Sequence, residues 1–126
     1  GHLATALFRL SRIVDAEATF QRAIALSVSI RNRRAESVQR MEYAELLAAE
    51  RRDAEAECSF RTAIDGFRET GDPRQEAYTL LLLARLLRRH ANAESRADDV
   101  RSLEERAMAI FPSAASELDA PAAPPL

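Results

Sequence analysis

Three arginines form the densest cluster of potential chemistry in this 126-residue chain. Arg85, Arg88 and Arg89 stand at i, i+3 and i+4, which puts three guanidinium groups on one face of a helix. A guanidinium fork takes a carboxylate through two parallel hydrogen bonds, so this spacing suits recognition and offers no bond-making step. Groups that make and break bonds are sparse. His90 is the only histidine away from the N-terminus; it falls at the expected end of a helix, where a cation offsets the dipole, and reads as a cap. Cys58, two residues after Ala56, reads as a small buried or half-buried packing residue and not as a nucleophile. The pairs Asp98-Asp99 and Glu104-Glu105 lack the spacing of a metal cradle and read as a solvated helix face. The sequence has no glycine-rich phosphate loop, no CxxC and no HExxH. The expectation is a non-catalytic protein with no metal and no cofactor.

Composition narrows the class further. Alanine, leucine, arginine and glutamate are strong helix formers and dominate the chain, whereas β-branched residues are few. The chain reads as all-α and one domain in size. All eighteen basic residues are arginine, as a GC-rich bacterial genome would give. A formal charge of −2 lacks the basic excess of a nucleic-acid domain. The Arg31–Arg34 stretch therefore reads as a solvated loop, and no nucleic-acid partner is expected. A single cysteine excludes an internal disulfide and suits a reducing compartment. An apolar run such as Leu80–Ala84 is far too short to cross a bilayer, so a cytoplasmic location is expected. Gly1-His2 reads as a cloning remnant.

Six helical segments are expected to carry these residues. The first covers about 3–12. The second starts near Asp15 and buries Ala16, Phe20, Ala23, Ile24 and Val28. The third covers about 35–51 with Val38, Met41, Ala44, Leu47 and Ala48 in phase. Asp53 is expected to cap the fourth, whose stripe is Ala56, Phe60, Ala63, Ile64 and Phe67. Gly71 should end it in a left-handed conformation. Asp72-Pro73-Arg74-Gln75 then opens the fifth, apolar nearly all round and thus packed on more than one side. Ser95 is expected to cap the sixth, with Val100, Leu103, Ala107, Ile110 and Phe111 as its face, and Pro112 to end it. Residues 112–126, alanine- and proline-rich, read as a flexible tail.

These helices repeat. At a shift of forty, Arg12, Ala16, Glu17, Phe20, Ala23 and Ile24 match Arg52, Ala56, Glu57, Phe60, Ala63 and Ile64. Ala4, Ala44 and Ala84 align, as do Leu7, Leu47 and Leu87, and the shift also pairs Arg34 with Arg74 and Glu36 with Glu76. A fixed period of this size marks a stacked repeat. In the third unit the second helix is displaced by about four residues, leaving Val100/Glu104/Ala107 and Leu103/Ala107/Ile110 as alternative registers.

The pattern Leu3-Ala4…Leu7…Ala16…Phe20…Ala23, repeated as Tyr43-Ala44…Leu47…Ala56…Phe60…Ala63 and begun again at Leu83-Ala84…Leu87, resembles the tetratricopeptide (TPR) family, in its longer-repeat branch. The resemblance covers residues 3–111. It implies an α-solenoid of about three stacked antiparallel helix hairpins, with units of about 3–32, 33–71 and 72–111. Arg40 replaces the family's aromatic at the start of unit two, and unit one begins mid-helix, as in a fragment of a longer array. The resemblance also implies a concave groove lined by the first helix of each unit. Its residues would be Phe8 and Arg9, then Met41, Glu42, Glu45 and Ala49, then Tyr78, Leu82, Arg85, Arg88 and Arg89. Glu45 and Arg85 take equivalent positions, so they either meet a partner or pair with each other. Glu42 and Leu82 stand where chaperone-tail binders carry asparagine, so that activity is not implied.

The function expected is a non-catalytic scaffold that binds a protein or peptide partner in this groove, within a larger bacterial regulatory protein. The alternative is an oligomerisation domain of a bacterial transcription regulator. Leu3, Leu7 and Leu10 would then form a homodimer through the uncapped N-terminal repeat.

Overall fold

The computed structural model describes residues 1–89 and 94–119, and all regular structure among them is helical. The helices are α1 (His2–Ser29), α2 (Arg33–Ala49), α3 (Asp53–Glu69), α4 (Pro73–Arg88), α5 (Ala97–Ile110) and α6 (Ala114–Asp119). No helix among the described residues is long and apolar enough to cross a membrane.

Three links of identical design join α1 to α4. The backbone N–H of Asn32, Arg52 and Asp72 donates to the carbonyl five residues back, on Ser27, Leu47 and Phe67, at 2.9 Å each time. The N–H groups of Arg31, Arg51 and Gly71 donate to Val28, Ala48 and Arg68. This pair of bonds is the Schellman motif, which satisfies the last carbonyls of a helix and requires a left-handed residue. That residue is Arg31 (φ 59°), Arg51 (φ 61°) and Gly71 (φ 69°). The next residue is the N-cap of the following helix, and in two of the three links its side chain caps: Asn32 accepts from the Ala35 N–H and Asp72 from the Gln75 N–H, whereas Arg52 makes no such bond. The forty-residue period is thus two modules of twenty, each a helix plus a three-residue link. Links this short reverse the chain, so sequential helices are antiparallel neighbours.

Packing follows that order. α1 lies on α2, α2 on α3, α3 on α4 and α4 on α5, with α6 against α4 and α5. α4 is therefore covered on several sides, as its apolar circumference requires, and Leu80, Leu82, Leu83, Leu86 and Leu87 are all buried. The α3 stripe from Ala56 to Phe67 is buried in full. Where α2 and α3 pass closest, Gly66 faces Ser37; a Cβ at Gly66 would lie 1.9 Å from the serine Oγ.

The repeat also carries polar roles. Glu17 receives two bonds from Arg52 (2.8 and 3.1 Å) and one from the Tyr43 hydroxyl (2.7 Å). Its repeat equivalent Glu57 receives two from Arg96, both 2.9 Å, and two from Arg61. Arg52 and Arg96 are the N-cap residues of α3 and α5. Their separation is the forty-residue period plus four, so the displacement in unit three lies in the link before α5. The buried face of α5 is Val100, Leu103 and Ala107, and half-buried Glu104 pairs with Arg88. The two registers weighed from sequence are therefore each partly right.

Several expectations are corrected. The first two helices are one: α1 passes unbroken through Ser11-Arg12-Ile13, the repeat equivalent of the turn at Arg51-Arg52-Asp53. Ile13 lacks the first-turn acid that Asp53 supplies, and nothing stops a run of good helix formers. Unit one therefore has no hairpin, and Val28 is exposed. Asp53 is the first helical residue and not the cap; its carboxylate accepts from Arg89 instead. Arg96, not Ser95, occupies the N-cap of α5. Cys58 is exposed, not buried. Residues 114–119 of the supposed tail form α6, which buries Ala114, packs Leu118 on the core and pairs Glu117 with Arg74. His90 and residues 120–126 lie outside the described residues.

Candidate partner-binding groove

α2 and α4 share a side of the molecule and leave a depression of about 330 Å³ between them. Its floor is apolar, made of Phe60, Leu82 and Leu86; Glu45, Ala49 and Arg85 stand on its walls. Ala49 also borders a second hollow of about 610 Å³, whose far wall is α1 through Thr5, Arg9 and Leu10. Arg9, Glu45, Ala49, Leu82 and Arg85 thus lie around two adjoining depressions spanning α1, α2 and α4. The antiparallel links bring α2 and α4 to the same side, and the uninterrupted α1 carries Arg9 alongside the end of α2.

Glu45 and Arg85 form no ion pair within 4 Å. The Glu45 carboxyl is held above its ordinary range, first by desolvation against α4 and then by neighbouring Glu42, with Arg85 opposing. Among the described residues Arg85 has no ion pair, so its guanidinium and the Glu45 carboxyl stand side by side at the depression's wall.

Other expected site residues lie elsewhere. Met41 is buried, its sulfur 3.1 Å from the Thr79 hydroxyl oxygen whose proton goes to the Gln75 carbonyl at 2.7 Å, so it belongs to the core. Tyr78 packs half-buried on that core. Arg88 reaches across to Glu104 on α5 (2.7 Å). Arg89 closes the end of the groove, donating to the Ala48 carbonyl and to Asp53. The shared face of Arg85, Arg88 and Arg89 is thereby divided, because acids on α3 and α5 claim two of the three. Phe8 is exposed on α1, with the Arg12 guanidinium 5.7 Å from its ring centre. Glu42 is exposed beside Glu45 and acts on it through charge.

Sequence reasoning placed Phe60 and Leu86 in the core alone. Both also floor the groove. Tyr43, a repeat position in the sequence, has a further part in the structure. It stacks on Phe20 with ring centres 5.9 Å apart and ties α2 to Glu17.

These acids give the fold a pH dependence. Glu17 is held below the usual carboxylate range chiefly by Arg52, then Tyr43, and Glu57 chiefly by Arg96. A carboxyl lowered on folding adds stability above its unfolded value of about 4.3, and that stability is lost as pH falls towards the folded value. Glu45, raised on folding, acts in the opposite sense: it costs stability at neutral pH and relents on acidification. The urea midpoint of Glu17→Gln/Glu57→Gln should therefore lie well below wild type at pH 7, and the gap should shrink between about pH 5 and pH 3. A gap independent of pH would show that these pairs do not contribute.

Among the described residues no cluster of histidine, cysteine, aspartate or glutamate could hold a metal ion. Compared with models of known protein families, with curated proteins and with solved structures, the chain has no match.

Proposed function

We propose that this chain is a non-catalytic interaction module of TPR-like design, a stack of helix pairs whose α2–α4 groove takes a partner helix or extended peptide. The observation that carries the reading is the convergence of Glu45, Leu82 and Arg85 on one depression with an apolar floor. The forty-residue repeat supports it, and the sequence carries no glycine-rich phosphate loop, CxxC or HExxH motif. The partner segment would place an apolar side chain over Phe60 and Leu82, a donor towards Glu45 and an acid towards Arg85. A regulatory protein of the bacterial cytoplasm is the setting that composition favours.

Peptides selected from a random library on the wild-type chain test this. Arg85→Glu and Glu45→Arg should each weaken the selected peptides by about tenfold or more, with helicity unchanged. Affinities unaffected by both changes would remove the groove from the account. Self-association, the second reading, is favoured by a separate surface on α1.

A further inference from the structure

The N-terminal half of α1 carries an apolar stripe that nothing in the described structure covers. Leu3, Leu7, Leu10 and Val14 follow at steps of four, three and four and are 75, 57, 57 and 62 % exposed. That spacing is a two-helix seam. The repeat shows how the molecule treats the same position elsewhere: Leu47 and Leu87, the equivalents of Leu7, are 2 and 0 % exposed beneath neighbouring helices. We propose that a second copy of this chain covers the stripe, α1 against α1 in antiparallel register, with Leu3 opposite Val14 and Leu7 opposite Leu10 of the other copy.

Four features favour a second copy. The stripe is self-complementary in that register, as an isologous interface must be. Its flanking positions are Ala4 and Ser11 on one edge and Ala6 and Ile13 on the other, so two copies bring no like charges together. Arg9 and Arg12 project from the opposite side of the helix, and uncharged edges offer little to a charged foreign helix. With the flanking alanines, pairing buries on the order of 1,000 Å² over two copies, the lower bound of a specific interface. Antiparallel pairing also places the two α2–α6 bodies at opposite ends of the seam, where a parallel pair would crowd them together. The inference does not rest on the groove reading: the α2–α4 depression shares no residue with the seam, and only the second hollow meets it, through Leu10 and the edge residues Ala6 and Ile13.

Light scattering of the chain at 10–200 µM (roughly the range in which a small interface is populated) should give twice the 14.0 kDa chain mass. Leu7→Glu should return it to the single-chain mass while the helical signal from α2 to α5 is kept. Val14→Asp serves as a second variant should Leu7→Glu lose helicity. In a Cys58→Ser background, oxidising a mixture of Leu3→Cys and Val14→Cys proteins should yield mainly the mixed disulfide dimer. Cross-links between like variants would mean a parallel seam and overturn the register. A single-chain mass throughout the range would overturn the proposal.

Discussion

Truncation of Leu87 to alanine is expected to cost about 2–5 kcal/mol of folding stability, and Leu47→Ala a similar amount. Leu7→Ala, at the same position of the repeat, should cost under about 0.5 kcal/mol when measured below micromolar concentration. Position in the repeat does not set the cost; burial does. Leu47 and Leu87 are sealed within the α2–α3–α4 core, where a deleted isobutyl group leaves a cavity that rigid neighbours cannot fill. Leu7 has water on its exposed side and loses almost nothing. For a chain whose total stability falls in the usual range of about 5–15 kcal/mol, either core change removes a large share. At concentrations where the α1 seam is paired, the cost of Leu7→Ala should rise with protein concentration. Urea titrations of the three variants at two concentrations check all of this. Equal costs at positions 7 and 47 would mean that α1 does not stand open.

The second large effect is expected at Gly66. Alanine is a better helix former by about 1 kcal/mol, so Gly66→Ala would stabilise an ordinary helix. Here it should destabilise by about 1–3 kcal/mol, the cost of overpacking. The new Cβ would fall 1.9 Å from Ser37 Oγ and 3.1 Å from its Cβ. Ser37 is itself fully buried, with its hydroxyl donating to the Arg33 carbonyl. The serine cannot swing aside without losing that bond, so α2 and α3 must separate. Ser37→Gly should restore much of the loss in the double variant, since it removes both crowding atoms. If Gly66→Ala raised the melting temperature, the close approach of the two helices would be wrong.

The all-helical class, the α3 stripe, the many-sided burial of α4 and the Gly71-Asp72-Pro73 boundary were legible because each has a local cause. Periodicity, a left-handed glycine, a capping aspartate and a proline in the first turn act within a few residues. The breaks near Arg31 and Arg51 were legible too, but not their left-handed backbone, since arginine gives no sign of positive φ. The missing turn at Ser11–Ile13 is the converse case. The repeat predicted a hairpin there, but a helix of alanine, leucine and arginine ends only when something stops it. The candidate groove was legible in part for a related reason. Glu45, Leu82 and Arg85 follow from the repeat, whereas the fates of Arg88 and Arg89 depend on Glu104 and Asp53, acids on other helices that spacing along one helix cannot reveal.

Everything distinctive in this account turns on α1 being one continuous helix that leaves the first repeat open. Spin labels at His2→Cys and Arg22→Cys, both exposed positions, in a Cys58→Ser background and diluted with unlabelled protein, measure that directly. Twenty residues of straight helix predict a backbone separation of about 30 Å within one chain. A hairpin turning at residues 11–13, as in the second repeat, would bring the labels level and leave a separation under about 15 Å in its place.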